Sequence, residues 1–119
     1  EKRIQVSAWY SEGLKNNDKV TIPFENNTEF VSNYIFPIVL KNSNSEFRDE
    51  FRNKLHAKGV QTSVHYPAVH RFSIYKDNYT DLAVTDYAVD NEVTLPMYGS
   101  LKKEDVDYII DSVNKILNG

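Results

Sequence analysis

The chain has 119 residues, with 14 Lys and Arg against 17 Asp and Glu, a formal net charge of −3. This length predicts a single domain over residues 1–119, and 40% hydrophobic and 13% aromatic residues exclude a disordered chain. The chain has no cysteine, which excludes a disulfide framework and a thiolate metal site. The mild acidity argues against a nucleic-acid partner, and no apolar run reaches the ~18 residues of a membrane span. We therefore expect a cytoplasmic domain with neither nucleic acid nor membrane as a partner.

A helix is predicted at the start of the chain. Three apolar residues recur at the i, i+4, i+8 spacing of one helix face: Val6, Tyr10 and Leu14. This helix has no N-cap residue, and Lys2 and Arg3 place positive charge at the positive end of its dipole. Both features are typical of the tail of a longer helix. We interpret the chain as a fragment, in which residues 1–15 link to a preceding domain.

The strongest predicted strand covers residues 34–40, after a short extended segment at residues 20–24. Both faces of this strand are apolar, so both are expected to be covered. Pro37 has no N–H to donate to a ladder, which indicates an edge or a bulge at that position. A domain of this size has few layers, so a region outside the chain is expected to cover one face.

A helix and another strand are predicted next. Ser45 is a suitable N-cap for a helix that runs through Lys58 and has an apolar stripe of Phe47, Phe51 and Leu55. Residues 60–66 then alternate between two faces, which predicts a strand that ends at Pro67. His65 lies near the carboxyl end of this strand, on its polar face.

The rest of the chain alternates helix and strand. Residues 67–80 form an aromatic-rich connection, residues 82–91 a short helix and residues 92–96 a strand. An amphipathic helix with Glu104 and Asp105 in its first turn closes the chain. This order predicts an α+β domain, a small sheet of about three to four strands with helices packed on one face.

His65 is the residue best suited to a site, because an imidazole can hold a phosphate or a sugar hydroxyl near neutral pH. The alternative is a structural histidine whose hydrogen bonds are satisfied within the fold. His65 and His70 lack the spacing of a helical metal pair, so no metal site is expected. Arg71 would bind an anion or remain solvated. Three tyrosines would line a pocket or fill half-buried surface: Tyr66, Tyr75 and Tyr79.

Several segments, taken together, carry a family resemblance. Residues 59–70 read GVQTSVHYPAVH, and residues 92–98 read EVTLPMY. These two segments, with residues 105–109 after them and residues 3–14 and 34–40 before them, resemble the DegT/DnrJ/StrS family in order and pattern. The family consists of pyridoxal-phosphate-dependent sugar aminotransferases, and the resemblance covers essentially the whole chain.

The resemblance implies that the chain is the C-terminal small domain of a larger enzyme, folded like that domain of the fold-type I pyridoxal-phosphate-dependent transferases. In the family, an upstream large domain carries the Schiff-base lysine and most contacts to pyridoxal 5′-phosphate, and the functional unit is a homodimer. The whole enzyme would transfer an amino group from L-glutamate or a similar donor to a keto-sugar nucleotide, in surface polysaccharide or amino-sugar biosynthesis. This chain alone, without that lysine, is expected to be inactive.

The resemblance also implies which residues lie near the substrate and the cofactor: His65, Tyr66 and His70. No catalytic residue and no metal ligand is expected in this chain. The chain departs from the family pattern at Lys102, where a Ser or Thr helix cap is usual, and at Val69 and Arg71, which flank the second histidine. The loop's substrate contacts are therefore expected to differ.

Two alternatives remain open from the sequence. Some family members are sugar dehydratases in which a histidine replaces the Schiff-base lysine, and that position lies outside this chain. A stand-alone α+β module is the other alternative. Such a module would bind a protein partner through residues 34–40 and the aromatic connection.

Overall fold

A three-stranded antiparallel sheet forms the centre of the protein in the computed structural model, which describes residues 1–78 and 81–119. The strands lie in the order β1 (Val20–Thr21), β2 (Phe36–Leu40) and β3 (Glu92–Leu95). The α-helices are α1 (Lys2–Leu14), α2 (Ser45–Ala57), α3 (Ala83–Asn91) and α4 (Lys103–Asn118). Two 3-10 helices lie between α2 and α3, at Val69–Arg71 and Ser73–Asn78. Within the described ranges, no helix has both the length and the apolar character needed to cross a membrane.

One hydrophobic core joins a face of the sheet to α1, α2 and α4. Alternate residues of β2 point into it, as the two-residue period of a strand requires: Phe36, Ile38 and Leu40. The helices contribute apolar residues at helical spacing: Val6, Tyr10 and Leu14 from α1, Phe51 and Leu55 from α2, and Val106, Ile109, Ile110, Val113 and Leu117 from α4. The prediction of an α+β domain, with a small sheet and helices packed on one face, is confirmed.

Tyr10 links α1 to the sheet and to the loop that follows β3. Its side chain is fully buried, and its ring stacks on Phe36 with the ring centroids 4.8 Å apart. Its hydroxyl donates to the carbonyl oxygen of Pro96 at 2.8 Å, so the buried polar atom is satisfied. Burial raises the pKa of the Tyr10 hydroxyl, because the phenolate would carry its charge in apolar surroundings.

β2 is the central strand, although it contains a proline. Thr94 of β3 is the register partner of Pro37, but its backbone hydrogen bonds go to Ser63 on the opposite side. Pro37 and Thr94 therefore form a non-hydrogen-bonded pair, and the Pro37 nitrogen faces the side of β1. β1 reaches only to Thr21, which pairs with Val39, so no donor is needed at Pro37. The edge predicted at Pro37 therefore exists only at that position, where β2 extends beyond the end of β1.

The strand predicted over residues 60–66 does not form, and this prediction is wrong. The segment makes a single bridge to β3. Two backbone groups of the segment bind side chains, and one of them, the His65 N–H, is the next donor that a ladder to β3 would use. Arg52 donates to the carbonyl oxygen of Thr62 at 3.2 Å. The Glu92 carboxylate accepts from the N–H of His65 at 3.0 Å, so His65 does not lie on a regular strand.

The starts of two other elements also differ from the predictions. Asn44, and not Ser45, caps α2, because the Asn44 side chain accepts from the N–H of Phe47 at 2.9 Å. Phe47 was predicted to belong to the apolar stripe of this helix. Its side chain is 44% exposed and lies outside the core. The strand predicted over residues 34–40 begins at Phe36.

Gly13→Ala is expected to destabilise the protein, although alanine favours a helix over glycine by roughly 0.5–1 kcal/mol. A Cβ at Gly13 would lie 3.0 Å from Cγ2 of Ile110 and closer still to its Cδ1, because α1 packs tightly on α4. Overpacking costs about 1–3 kcal/mol, so we expect a net loss of about 1 kcal/mol in urea unfolding. Ile110→Val should recover most of that loss in the double variant, since it removes Cδ1. Equal losses with and without Ile110→Val would contradict the packing argument.

Candidate functional site

The segment that carries His65 is held against the outer edge of β3. Ser63 and Thr94 exchange two backbone hydrogen bonds, of 3.2 and 2.8 Å. The antiparallel register of this bridge brings His65 alongside Glu92, two residues further on. There the Glu92 Oε2 accepts from the backbone N–H of His65 at 3.0 Å. The backbone at His65 is therefore held by a side chain of β3.

The His65 ring completes a polar chain with two residues of β3. Its Nδ1 lies 3.0 Å from the Thr94 Oγ1, and the Thr94 hydroxyl donates to the Glu92 Oε1. Thr94 is 4% exposed and Glu92 is 7% exposed, whereas His65 is half-buried. Among the described residues, the His65 Nε2 has no hydrogen-bond partner. The imidazole is therefore anchored on one nitrogen only.

Tyr66 and His70 lie together in a groove next to His65. Tyr66 follows His65 across a cis peptide bond, its ring meets the His65 ring edge-on at 4.9 Å, and it is 67% exposed. The groove has a volume of about 570 Å³ between the 3-10 helices and α3, and its lining includes Tyr66, His70, Tyr75, Leu82 and Val89. Two of the three tyrosines predicted to line a pocket thus share one groove, while Tyr79 lies outside the described residues.

Arg71 is an ion-pair partner of α3, although its side chain remains 42% exposed. Its guanidinium donates to Asp90 through two nitrogens, at 2.6 and 3.0 Å, and to Asp86 at 2.8 Å. The His70 Nε2 lies 2.7 Å from the same Asp86 oxygen. The hydrogen bond with His70, and then the one from Arg71, hold the pKa of Asp86 below its usual value. The hydrogen bond from Arg71 does the same for the pKa of Asp90.

Acid is expected to loosen this contact between the aromatic connection and α3. A carboxyl whose pKa is lower in the folded state stabilises the fold fully above its unfolded pKa, about 4. That contribution is lost as the pH falls through the lower, folded value. The unfolding free energy of the wild type should therefore exceed that of the Asp86→Asn/Asp90→Asn variant at pH 6, and the two should converge below about pH 4. A difference that stays constant from pH 6 to pH 3 would contradict this assignment.

The arrangement is suited to binding and orienting a ligand beside the His65 imidazole. Every lysine of the chain is exposed, so none has the buried surroundings that keep an amine unprotonated for Schiff-base chemistry. The described part of the chain also holds no cluster of three or more His, Cys, Asp or Glu side chains that could bind a metal.

Glu92 and Thr94 are the site residues that sequence reasoning missed. Both lie in the strand predicted over residues 92–96, where their apolar neighbours Val93 and Leu95 belong to the core. The alternation therefore placed two polar residues on the face opposite the core. This alternation was the sequence signal that could have identified Glu92 and Thr94, because polar residues that become buried on one strand face need hydrogen-bond partners.

Comparison with solved structures defines the class of fold. PseC of Helicobacter pylori, an aminotransferase involved in the biosynthesis of pseudoaminic acid, superposes with a TM-score of 0.90 at 24% identity over 98% of this chain and 32% of its own. The aminotransferase TlmJ of Streptoalloteichus hindustanus gives a TM-score of 0.87 at 24% identity, over 98% of this chain and 31% of its own. The fold is that of the small domain of such aminotransferases.

The chain belongs to the DegT/DnrJ/EryC1/StrS aminotransferase family, whose profile matches residues 1–114. It is 25% identical over 117 residues to a UDP-4-amino-4,6-dideoxy-N-acetyl-beta-L-altrosamine transaminase of Helicobacter pylori, covering 97% of this chain and 31% of the relative. It is 27% identical over 114 residues to a GDP-perosamine synthase of Escherichia coli O157:H7, covering 96% of this chain and 30% of the relative. The chain thus spans about a third of the length of the curated relatives that it matches.

Proposed function

We propose that the chain is the C-terminal small domain of a pyridoxal-phosphate-dependent enzyme that transfers an amino group from L-glutamate, or a similar donor, to a keto-sugar nucleotide. The family match over residues 1–114 carries this proposal. Two relatives support the substrate class, since their names denote a transaminase and a synthase of nucleotide-linked amino sugars. The pathway would be surface polysaccharide or amino-sugar biosynthesis, and the enzyme would work in the cytoplasm.

The partners in this proposal are an upstream large domain and a second copy of the enzyme. Residues 1–15 would link this domain to the large one. Large apolar side chains on the aromatic connection and α3 support such contacts, because Ile74 is 78% exposed and Val84 is 83% exposed. Phe24 and Phe30, in the loop before β2, are 86% and 91% exposed. These surfaces would be covered in the whole enzyme.

In the whole enzyme, His65, Tyr66 and His70 would lie near the substrate and the cofactor. Pyridoxal phosphate supplies an electron sink when it is bound, and its lysine would come from the large domain. The part of this chain would be to orient the sugar. His65 would make a hydrogen bond to the sugar through its half-buried ring, and Tyr66 would present an exposed aromatic face.

The test uses the full-length gene product and its visible absorption spectrum. An aminotransferase should show the absorption of lysine-bound pyridoxal phosphate, and L-glutamate should convert that absorption to the amino form of the cofactor. A cofactor spectrum that L-glutamate leaves unchanged would favour the dehydratase alternative. A protein without cofactor absorption, before or after added pyridoxal phosphate, would contradict the proposal and favour a binding module.

A further inference from the structure

We propose that Thr94 and Glu92 are positioning residues that select the tautomer of neutral His65 carrying its proton on Nδ1. The His65 Nε2 is then a hydrogen-bond acceptor, and it would receive a hydroxyl or amino group of the sugar. This inference deepens the function proposed above and rests on it for the identity of the ligand. Its physical basis is the direction of the hydrogen bonds that join His65, Thr94 and Glu92.

The Thr94 hydroxyl has one hydrogen, and that hydrogen is committed. It is donated to the Glu92 Oε1, and a carboxylate can only accept. The other carboxylate oxygen of Glu92 accepts from the backbone N–H of His65 at 3.0 Å. The Thr94 Oγ1 therefore has only lone pairs to offer, so the His65 Nδ1, 3.0 Å away, is the donor in this bond. The Ser63 Oγ also lies near Nδ1, but it is exposed and farther away, at 3.4 Å, and an unprotonated Nδ1 would set its lone pair against that of the buried Thr94 Oγ1.

Burial makes this direction costly to reverse. Thr94 and Glu92 are 4% and 7% exposed, so neither can exchange its partner for bulk water. Within residues 1–78 and 81–119, Glu92 has no ion-pair partner, and its carboxylate is satisfied by hydrogen bonds. Turning the Thr94 hydroxyl toward His65 would leave a buried carboxylate oxygen without its donor.

The assigned tautomer restricts what His65 can bind. A neutral imidazole that donates from Nδ1 has a lone pair on Nε2, and it cannot donate from Nε2 to a phosphate oxygen. The hydroxyl and amino groups of a sugar supply the donor that this lone pair requires. The anchored ring would thus recognise the sugar of the nucleotide sugar and not its phosphates.

The direct test is the ¹⁵N NMR spectrum of the histidine side chains in the full-length protein, with His65 assigned by its loss in His65→Gln. The neutral form of wild-type His65 should show a protonated Nδ1 and an unprotonated Nε2. Thr94→Val should abolish that preference, and Thr94→Ser should keep it, because serine preserves the hydroxyl. A wild-type His65 protonated on Nε2 would overturn the proposal without reference to any variant.

Kinetics supply the second test and a matched control. Thr94→Val should lower kcat/KM by about tenfold, and Thr94→Ser should stay within about threefold of the wild type. Thr62→Val makes the same chemical change in the neighbouring segment that carries His65, at a hydroxyl that accepts from the Arg52 Nε at 3.1 Å, and should also stay within about threefold. A Thr94→Val enzyme within threefold of the wild type would overturn the positioning role.

The two proposals fail in different ways. A full-length protein without aminotransferase activity would contradict the proposed function, whereas the tautomer of His65 would still be read from the NMR spectrum. An active enzyme in which His65 is protonated on Nε2 would leave the function intact and contradict the role of Thr94 and Glu92.

Discussion

His65→Ala in the full-length enzyme should lower kcat/KM by about 10- to 1000-fold without unfolding the protein, as loss of a site hydrogen bond does. The segment around His65 is held through its backbone groups, by the two bonds between Ser63 and Thr94 and by the bond from the His65 N–H to the Glu92 carboxylate, and alanine keeps all of them. The side chain is half-buried and lies outside the hydrophobic core, so the thermal unfolding midpoint should change little. Steady-state kinetics with L-glutamate and a keto-sugar nucleotide, together with a thermal melt, check both parts.

His56→Ala is the matched control for that experiment. His56 lies in the last turn of α2, and its side chain is exposed. Its removal should leave both kcat/KM and the melting temperature near the wild-type values. Wild-type kinetics in His65→Ala would remove His65 from the site. Unfolding of His65→Ala would instead make it a structural residue.

Tyr10→Ala should cost about 3–5 kcal/mol of stability, the largest effect expected from a single substitution here. The ring is fully buried in the core, against Phe36, so alanine leaves a cavity between α1 and the sheet. The substitution also leaves the carbonyl oxygen of Pro96 without its donor. Urea unfolding of the full-length protein measures the loss.

Two variants separate the ring of Tyr10 from its hydroxyl. Tyr10→Phe keeps the ring and removes only the bond to Pro96, so it should cost about 1–2 kcal/mol. Tyr108→Phe removes an equivalent bond, from a hydroxyl to the carbonyl oxygen of Lys58 at 2.8 Å, from a side chain that is 53% exposed. Water replaces that bond, so its loss should cost less than about 0.5 kcal/mol. Equal costs for the two variants would show that burial does not set the strength of the Tyr10 bond.

The helices were predictable because their signal is local. The stripe of Val6, Tyr10 and Leu14 in α1 recurs at intervals of four residues, and all three side chains are buried. The pattern of α4, including Val106 and Val113, is equally regular and also lies in the core. Such spacing depends only on the turn of a helix, so the sequence alone reveals it.

The segment over residues 60–66 shows where local pattern misleads. Its two-residue alternation is that of a strand, but a strand also needs a neighbour whose backbone groups are free. The next backbone donor on the side of β3, the His65 N–H, is instead taken by the Glu92 side chain. That partner comes from β3, and no feature of the segment itself reveals it.

The sequence by itself determined the α+β class and the core faces of the helices. Through the resemblance it also indicated the family and made His65 a candidate site residue. Only the tertiary structure decided which nitrogen of His65 is anchored, since Glu92 and Thr94 lie 27 and 29 residues further along the chain. It also decided that Arg71 pairs with α3. Helix and strand periods act between near neighbours and can be read from residue types. The direction of a hydrogen bond depends on which distant groups the fold brings within 3 Å of each other.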